Sequence, residues 1–81
     1  MSSPTKSSPI VIPPLDLGEI PLRIAVWHCR DGRLVREGDR LLEIAAGDVV
    51  VDLAAPADGV LRKLAAEDDI ITVGQVVGEI A

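Results

Sequence analysis

The sequence predicts a small all-β domain made of two similar halves packed face to face. Three observations predict it. Hydrophobic residues make up 48% of the 81-residue chain, yet Trp27 is the only aromatic, so the core must be built from Val, Ile, Leu and Ala, a composition that favours strands. Short apolar runs of strand length alternate with turns containing Gly, Pro and Asp. The chain also resembles itself at a fixed offset of 36 residues. At this length there is room for one domain with a small core.

Residues 1–9 (MSSPTKSSP) are rich in Ser and Pro and read as a disordered tail, so the domain is expected over residues 10–81. Ile10-Val11-Ile12 is a strand candidate stopped by Pro13-Pro14, because proline cannot donate to a ladder. Leu15 to Pro21 reads as loop. Arg23 to Cys29 is the next strand candidate, followed by the Asp31-Gly32 turn and a short strand at Leu34-Val35. Gly38-Asp39 makes a turn before a strand over Arg40 to Ala45. Ala46-Gly47-Asp48 is expected to be a tight hairpin turn, with Gly47 free to take positive φ and Asp48 a good turn former. The β-branched run Val49 to Ala54 follows, then a Pro56-Ala57-Asp58-Gly59 turn and strands at Val60 to Leu64, Ile70 to Thr72 and Val76 to Ile80. Val60 to Glu67 places Leu61, Leu64 and Ala65 at helical spacing, but it is short and flanked by strand-like segments, so strand plus loop is preferred.

Sliding the chain by 36 residues brings Gly38 onto Gly74 and Glu43-Ile44-Ala45 onto Glu79-Ile80-Ala81. Leu34-Val35 falls on Ile70-Ile71, Leu41 on Val77 and Ile24 on Val60. Two copies are too few for a solenoid. Two β units of this length are expected to pack face to face about a pseudo-two-fold axis.

The formal charge is -5, and Lys and Arg form no cluster. Phosphate backbones and anionic membranes both call for concentrated positive charge, so neither partner is expected. No apolar run approaches the length of a membrane span, and no hydrophobic stretch follows Lys6 to make a signal peptide. The single Cys29 forbids an intrachain disulfide and fits a reducing cytoplasm. His28 and Cys29 are neighbours on a strand candidate and should point to opposite faces, which prevents a shared metal ion or a thiol–imidazole pair. No further ligands lie at metal-binding spacing, so no metal is expected. Trp27 should pack at the edge of the core with a partner for its N–H. Glu67-Asp68-Asp69 reads as a solvated loop. No phosphate-binding Gly-rich loop, Ser/His/Asp set or paired-carboxylate site is visible, and no catalytic residue is assigned.

Trp27, Asp31-Gly32, Val35, Gly38-Asp39, Leu41-Leu42, Glu43-Ile44, Ala55-Pro56-Ala57-Asp58-Gly59-Val60 and Val73 to Ile80 (VGQVVGEI), in this order and spacing, resemble the biotinyl/lipoyl attachment domains, above all the lipoyl domains of 2-oxoacid dehydrogenase complexes. The resemblance covers Ile10 to Ala81. It implies a lipoyl-like barrel-sandwich of two four-stranded sheets. It also implies a hairpin tip displaying a lysine, whose amine is acylated by lipoate or biotin and carries the group between active sites.

At that tip the chain departs from the family. The lipoyl pattern continues Glu-Ile with Glu-Thr-Asp-Lys-Ala, and biotin domains carry Met-Lys-Met. Here Glu43-Ile44 is followed by Ala45-Ala46-Gly47-Asp48-Val49, and Asp48 takes the lysine position. An amine attacking an acyl-adenylate yields a stable amide, whereas a carboxylate could yield only a mixed anhydride that water destroys. The lysines are Lys6, in the tail, and Lys63, in a strand. No cofactor attachment is therefore expected at Ala46, Gly47 or Asp48. The tip is read first as a plain turn whose function has drifted away; the alternative is an acidic tip that docks on a basic partner. Arg33, often Asp in the family, and Asp68, usually Gly, are smaller departures.

The expected function is a non-catalytic, stand-alone lipoyl-type module. It would serve interaction or scaffolding, or be a vestige of a 2-oxoacid dehydrogenase system. Its partner would be a protein, with a component of such a system the leading candidate. The alternative is a true swinging-arm carrier of lipoate or biotin with an altered attachment site. A cytoplasmic monomer or weak dimer is expected, since a small β domain exposes edge strands.

Overall fold

A computed structural model describes residues 7–81; residues 1–6, and with them most of the expected tail and Lys6, lie outside the described residues. Eight strands follow one another: β1 (Ser8–Val11), β2 (Leu22–Trp27), β3 (Leu34–Val35), β4 (Arg40–Ala46), β5 (Val49–Ala54), β6 (Gly59–Lys63), β7 (Ile70–Ile71) and β8 (Val76–Ile80). They form two four-stranded antiparallel sheets, ordered β1-β8-β6-β3 and β5-β4-β2-β7. No helix forms at Val60 to Glu67, where β6 ends at Lys63 and a loop follows.

Five strands, β1, β2, β4, β6 and β7, differ from expectation by one or two residues at one or both ends, and the first two are instructive. β1 begins at Ser8, so Ser8 and Pro9 belong to the ladder rather than to a tail. β1 lies at the edge of its sheet, where Pro9 is tolerated because a missing N–H can face away from the partner strand. β2 ends at Trp27, and His28 and Cys29 form a bend in which the His28 N–H still donates to the Leu41 carbonyl at 2.7 Å.

The 36-residue repeat is a real pseudo-two-fold. Replacing β4, β2, β7 and β5 by β8, β6, β3 and β1 turns one sheet order into the other. Hydrogen bonds recur in pairs. Trp27 N–H donates to Glu67 Oε2 (2.9 Å), and Lys63 N–H donates to Asp31 Oδ1 (2.6 Å). Gly38 N–H donates to the Ala55 carbonyl (2.9 Å), and Gly74 N–H donates to the Ile12 carbonyl (2.8 Å). Arg36 N–H reaches Asp39 Oδ2 (2.9 Å) as Thr72 N–H reaches Gln75 Oε1 (3.0 Å). The glycine that opens the first of these loops, Gly32 (φ 85°), is matched by Asp68 (φ 72°), a residue type that tolerates left-handed backbone.

One expected pairing fails. Ile24 is fully buried, but Val60 is 41% exposed, and Leu61 takes the equivalent buried place. The cause is a bulge in β2. Ile24 pairs with Ile44 and Val26 with Glu43, leaving Ala25 as an extra residue, whereas β6 runs Leu61↔Ile80 and Arg62↔Glu79 without interruption. Two further bulges obey the symmetry. The register shifts between Arg40 and Leu42 against β5, and between Val76 and Gly78 against β1. The extra residues, Leu41 and Val77, both turn fully inward, which is how Leu41 and Leu42 can be adjacent and both buried.

The core is aliphatic, with Ile10, Ile12, Ile24, Leu41, Leu42, Ile44, Leu61, Ile71, Val77 and Ile80 inside. Trp27 closes one edge at 8% exposure and donates its indole N–H to the Ala65 carbonyl at 3.0 Å. It lies against Gly78, where a Cβ would sit 3.5 Å from Trp27 Cη2, 3.1 Å from Ile10 Cδ1 and 2.9 Å from the Arg62 carbonyl oxygen. The opposite half has Leu42 at this place; the second half needs a bare backbone. Gly78→Ala is expected to cost about 1–3 kcal/mol, since backbone and packed core must both shift. Chemical denaturation would read it as a lower midpoint at unchanged slope.

Candidate functional site

Among the described residues, the β4–β5 hairpin is the place where two long strands run out to a tight end. Its ladder holds register to the last pair, Ala46↔Val49, leaving only Gly47 and Asp48 as the connection. The expected three-residue turn is therefore a two-residue one. Ala46 is the last residue of β4 and is 1% exposed. Gly47 has φ 60°, while Asp48 is absent from the positive-φ residues, the pattern of a type II′ turn with Gly first. A Cβ on Gly47 would have space, its nearest neighbour being Ile20 Cγ2 at 3.8 Å, so the constraint there is conformational.

Asp48 is exposed at the outermost point of the hairpin. Among the described residues, no hydrogen bond or ion pair engages its carboxylate. Exposed apolar groups lie near it in the chain and in the neighbouring groove. Val49 and Val50 are 43% and 55% exposed, and a groove beside Gly47 is lined by Ile20, Pro21, Leu22, Ala45 and Ile70 together with Arg23. The tip therefore presents one free carboxylate on a partly apolar platform held by a six-pair ladder. It offers no amine.

The chain's described lysine, Lys63, is placed quite differently. It lies in β6 of the other sheet, with Nζ 5.1 Å from the centroid of the Trp27 ring. Its backbone N–H is capped by Asp31, so it lies on the face of a sheet rather than at a turn.

The remaining singled-out residues separate as expected in part. Cys29 packs partly against the core, with Sγ 3.9 Å from the Arg40 carbonyl, while His28 lies on the outer surface. His28 Nε2 stands 3.0 Å from Glu43 Oε2, and Asp52 lies across the ladder from Glu43. Spacing along the chain does not reveal this grouping, because its members come from three separate segments. Glu67 and Asp69 do more than solvate a loop: Glu67 caps the Trp27 N–H and Asp69 Oδ2 accepts from Ala66 N–H at 2.8 Å.

The sequence profile of the biotin/lipoyl family, described as "Biotin-requiring enzyme", matches residues 16–80. The chain belongs to this family. It is 33% identical over 72 residues to the dihydrolipoyllysine-residue succinyltransferase component of the 2-oxoglutarate dehydrogenase complex of Rickettsia felis. It is 33% identical over 70 residues to the same component in Buchnera aphidicola. These matches cover 88% and 85% of this chain but only 18% and 17% of the relatives, so the chain spans less than a fifth of their length. The fold is similar to the solution structure of the lipoyl domain of the 2-oxoglutarate dehydrogenase complex from Azotobacter vinelandii. The TM-score is 0.70 with 27% identity, over 89% of this chain and 95% of that one. The all-β lipoyl architecture expected from the sequence is thus the architecture observed.

Proposed function

We propose that this lipoyl-type domain bears no lipoyl or biotinyl group and works as a non-catalytic interaction or scaffold module associated with 2-oxoacid dehydrogenase components. The observation that carries the reading is the hairpin tip, where Asp48 stands at the exposed end of the β4–β5 ladder. The family's chemistry at that place requires an amine nucleophile, and a carboxylate cannot form the stable amide. The described residues therefore do not fit the covalent group. Lys63 is a poor substitute, because its ammonium is engaged over Trp27 and it projects from a strand in the other sheet.

The same tip supports a protein partner. An exposed carboxylate followed by the exposed Val49 and Val50, with the exposed Ile20 and Ile70 in the groove beside Gly47, suits a partner surface that joins a basic group to an apolar patch. The net charge of -5 favours encounter with a basic protein. We place the domain in the cytoplasm, where its free Cys29 would stay reduced.

The intact mass of the protein, expressed in cells replete with lipoate and biotin, tests the central claim. The expected result is the mass of the bare polypeptide. A mass raised by a lipoyl or biotinyl group, mapped to Lys63, would overturn the reading and make the domain a carrier with an unorthodox attachment site.

A further inference from the structure

We propose that His28, Glu43 and Asp52 form a surface binding site for a divalent transition-metal ion of the zinc type. One donor atom from each of the three side chains lies within 4.8 Å of the others. His28 comes from the bend after β2, Glu43 from β4 and Asp52 from β5, so three adjacent segments of one sheet converge their donors on one outer face. His28 Nε2 and Glu43 Oε2 are already 3.0 Å apart, and both side chains are partly sheltered, at 30% and 27% exposure.

Without a cation this arrangement is a poor one. Glu43 and Asp52 are directly opposed in the antiparallel register, a placement in which like charges repel. Among the described residues the cationic group paired with Asp52 is Arg40, whose Nε stands 3.7 Å from Oδ2 with both side chains more than half exposed, a weak pair. Two carboxylates and a neutral imidazole would balance a doubly charged ion. The imidazole nitrogen selects zinc-like metals over calcium or magnesium. Donors around tetrahedral zinc stand roughly 3.4 Å apart at bond lengths of about 2.1 Å. The donors lie within 4.8 Å of one another, so reaching that spacing is a change of less than about 1.5 Å in any pair. Three protein ligands leave the fourth position to water.

The pseudo-symmetry supplies an internal control. At the equivalent place in the other half, Glu79 is opposed by Pro9, and Leu64 occupies the position of His28. There Glu79 accepts from the Ser7 hydroxyl at 3.2 Å and pairs with Arg62 at 3.7 Å. The fold itself therefore does not require the donor set; only one half carries it.

The test is a titration of the whole chain with Zn²⁺ alone, by calorimetry and by NMR of the imidazole ring protons. His28 is the only histidine, so its signals are unambiguous. The expected result is saturable binding of one ion per chain with the His28 ring signals shifted. Affinity should fall about tenfold or more in His28→Gln and in Asp52→Asn, and should be unchanged in Cys29→Ser. Thermal melts confirm that each variant is folded, and either of the first two suffices. Absence of saturable binding, binding undiminished in both variants, or binding abolished by Cys29→Ser would overturn the site. The outcome is independent of whether the hairpin tip is acylated.

Discussion

Asp48→Lys is expected to make the hairpin tip a substrate for a lipoyl ligase. The ladder from Arg40↔Ala54 to Ala46↔Val49 holds the tip, and Asp48 already projects from it. The substitution changes only the terminal chemistry. The Lys amine attacks the acyl-adenylate carbonyl, the amide bond forms, AMP leaves, and the amine loses a proton. A single-site change would move modification from none to most of the protein, read as a shift in intact mass and mapped to position 48 by peptide analysis. A lipoylated variant beside an unmodified parent means that only the nucleophile separates this tip from a carrier. If both stay unmodified, the ligase does not accept the tip, whose Ala46-Gly47 stands where the family has Thr-Asp. If the parent is modified, the proposed function fails at once.

Ile71→Ala is expected to destabilise the domain severely, while Ile70→Ala, one residue away, should do almost nothing. Both lie in β7, which pairs with β2 through Leu22↔Ile71 and Arg23↔Ile70. Ile71 is 2% exposed and packs in the core, whereas Ile70 is 73% exposed. Truncating a buried Ile removes its transfer free energy and leaves a cavity, about 2–5 kcal/mol together. A chain of this length has a total stability on the order of 4–12 kcal/mol, so the loss takes a large share of it. At about 4–8 °C per kcal/mol the melting temperature should fall by roughly 8–40 °C. Ile70→Ala should stay within about 0.5 kcal/mol. Thermal melts of the two variants decide the matter, and a reversed order would mean that β7 is slipped by one residue, because a slip of one exchanges the faces. The pseudo-symmetric β3 shows the same polarity, with Leu34 80% exposed and Val35 3% exposed.

Much of the fold was legible in the chain because β structure writes itself locally. Val49–Ala54 and Val76–Ile80 are strands to the residue, since β-branched and aliphatic runs between turn formers leave few alternatives. The 36-residue offset was legible because each half must build the same supersecondary unit, and its loops are closed by side-chain oxygens at equivalent places, Asp39 in one half and Gln75 in the other. The chemistry of the tip was also a matter of residue identity: with Asp at 48 there is no amine there, whatever the backbone does.

Other features depended on neighbours distant in sequence. The bulge at Ala25 breaks the gapless repeat, and nothing in the local string LRIAVW announces it; it lets Ile24 and Trp27 both reach the core opposite the uninterrupted run Leu42-Glu43-Ile44 of β4. Which of Ile70 and Ile71 faces inward is set by pairing with β2, because a two-residue strand has no period of its own. Glu67 became the cap of the Trp27 N–H, and His28 met Glu43 and Asp52, only when the register of adjacent strands was set. The sequence by itself determined the strands, their duplication and the absence of an amine at the hairpin tip, since these follow from side-chain identity and local backbone preference. The tertiary structure decided the bulges, the facing of short strands and the meeting of His28, Glu43 and Asp52, since each depends on long-range register.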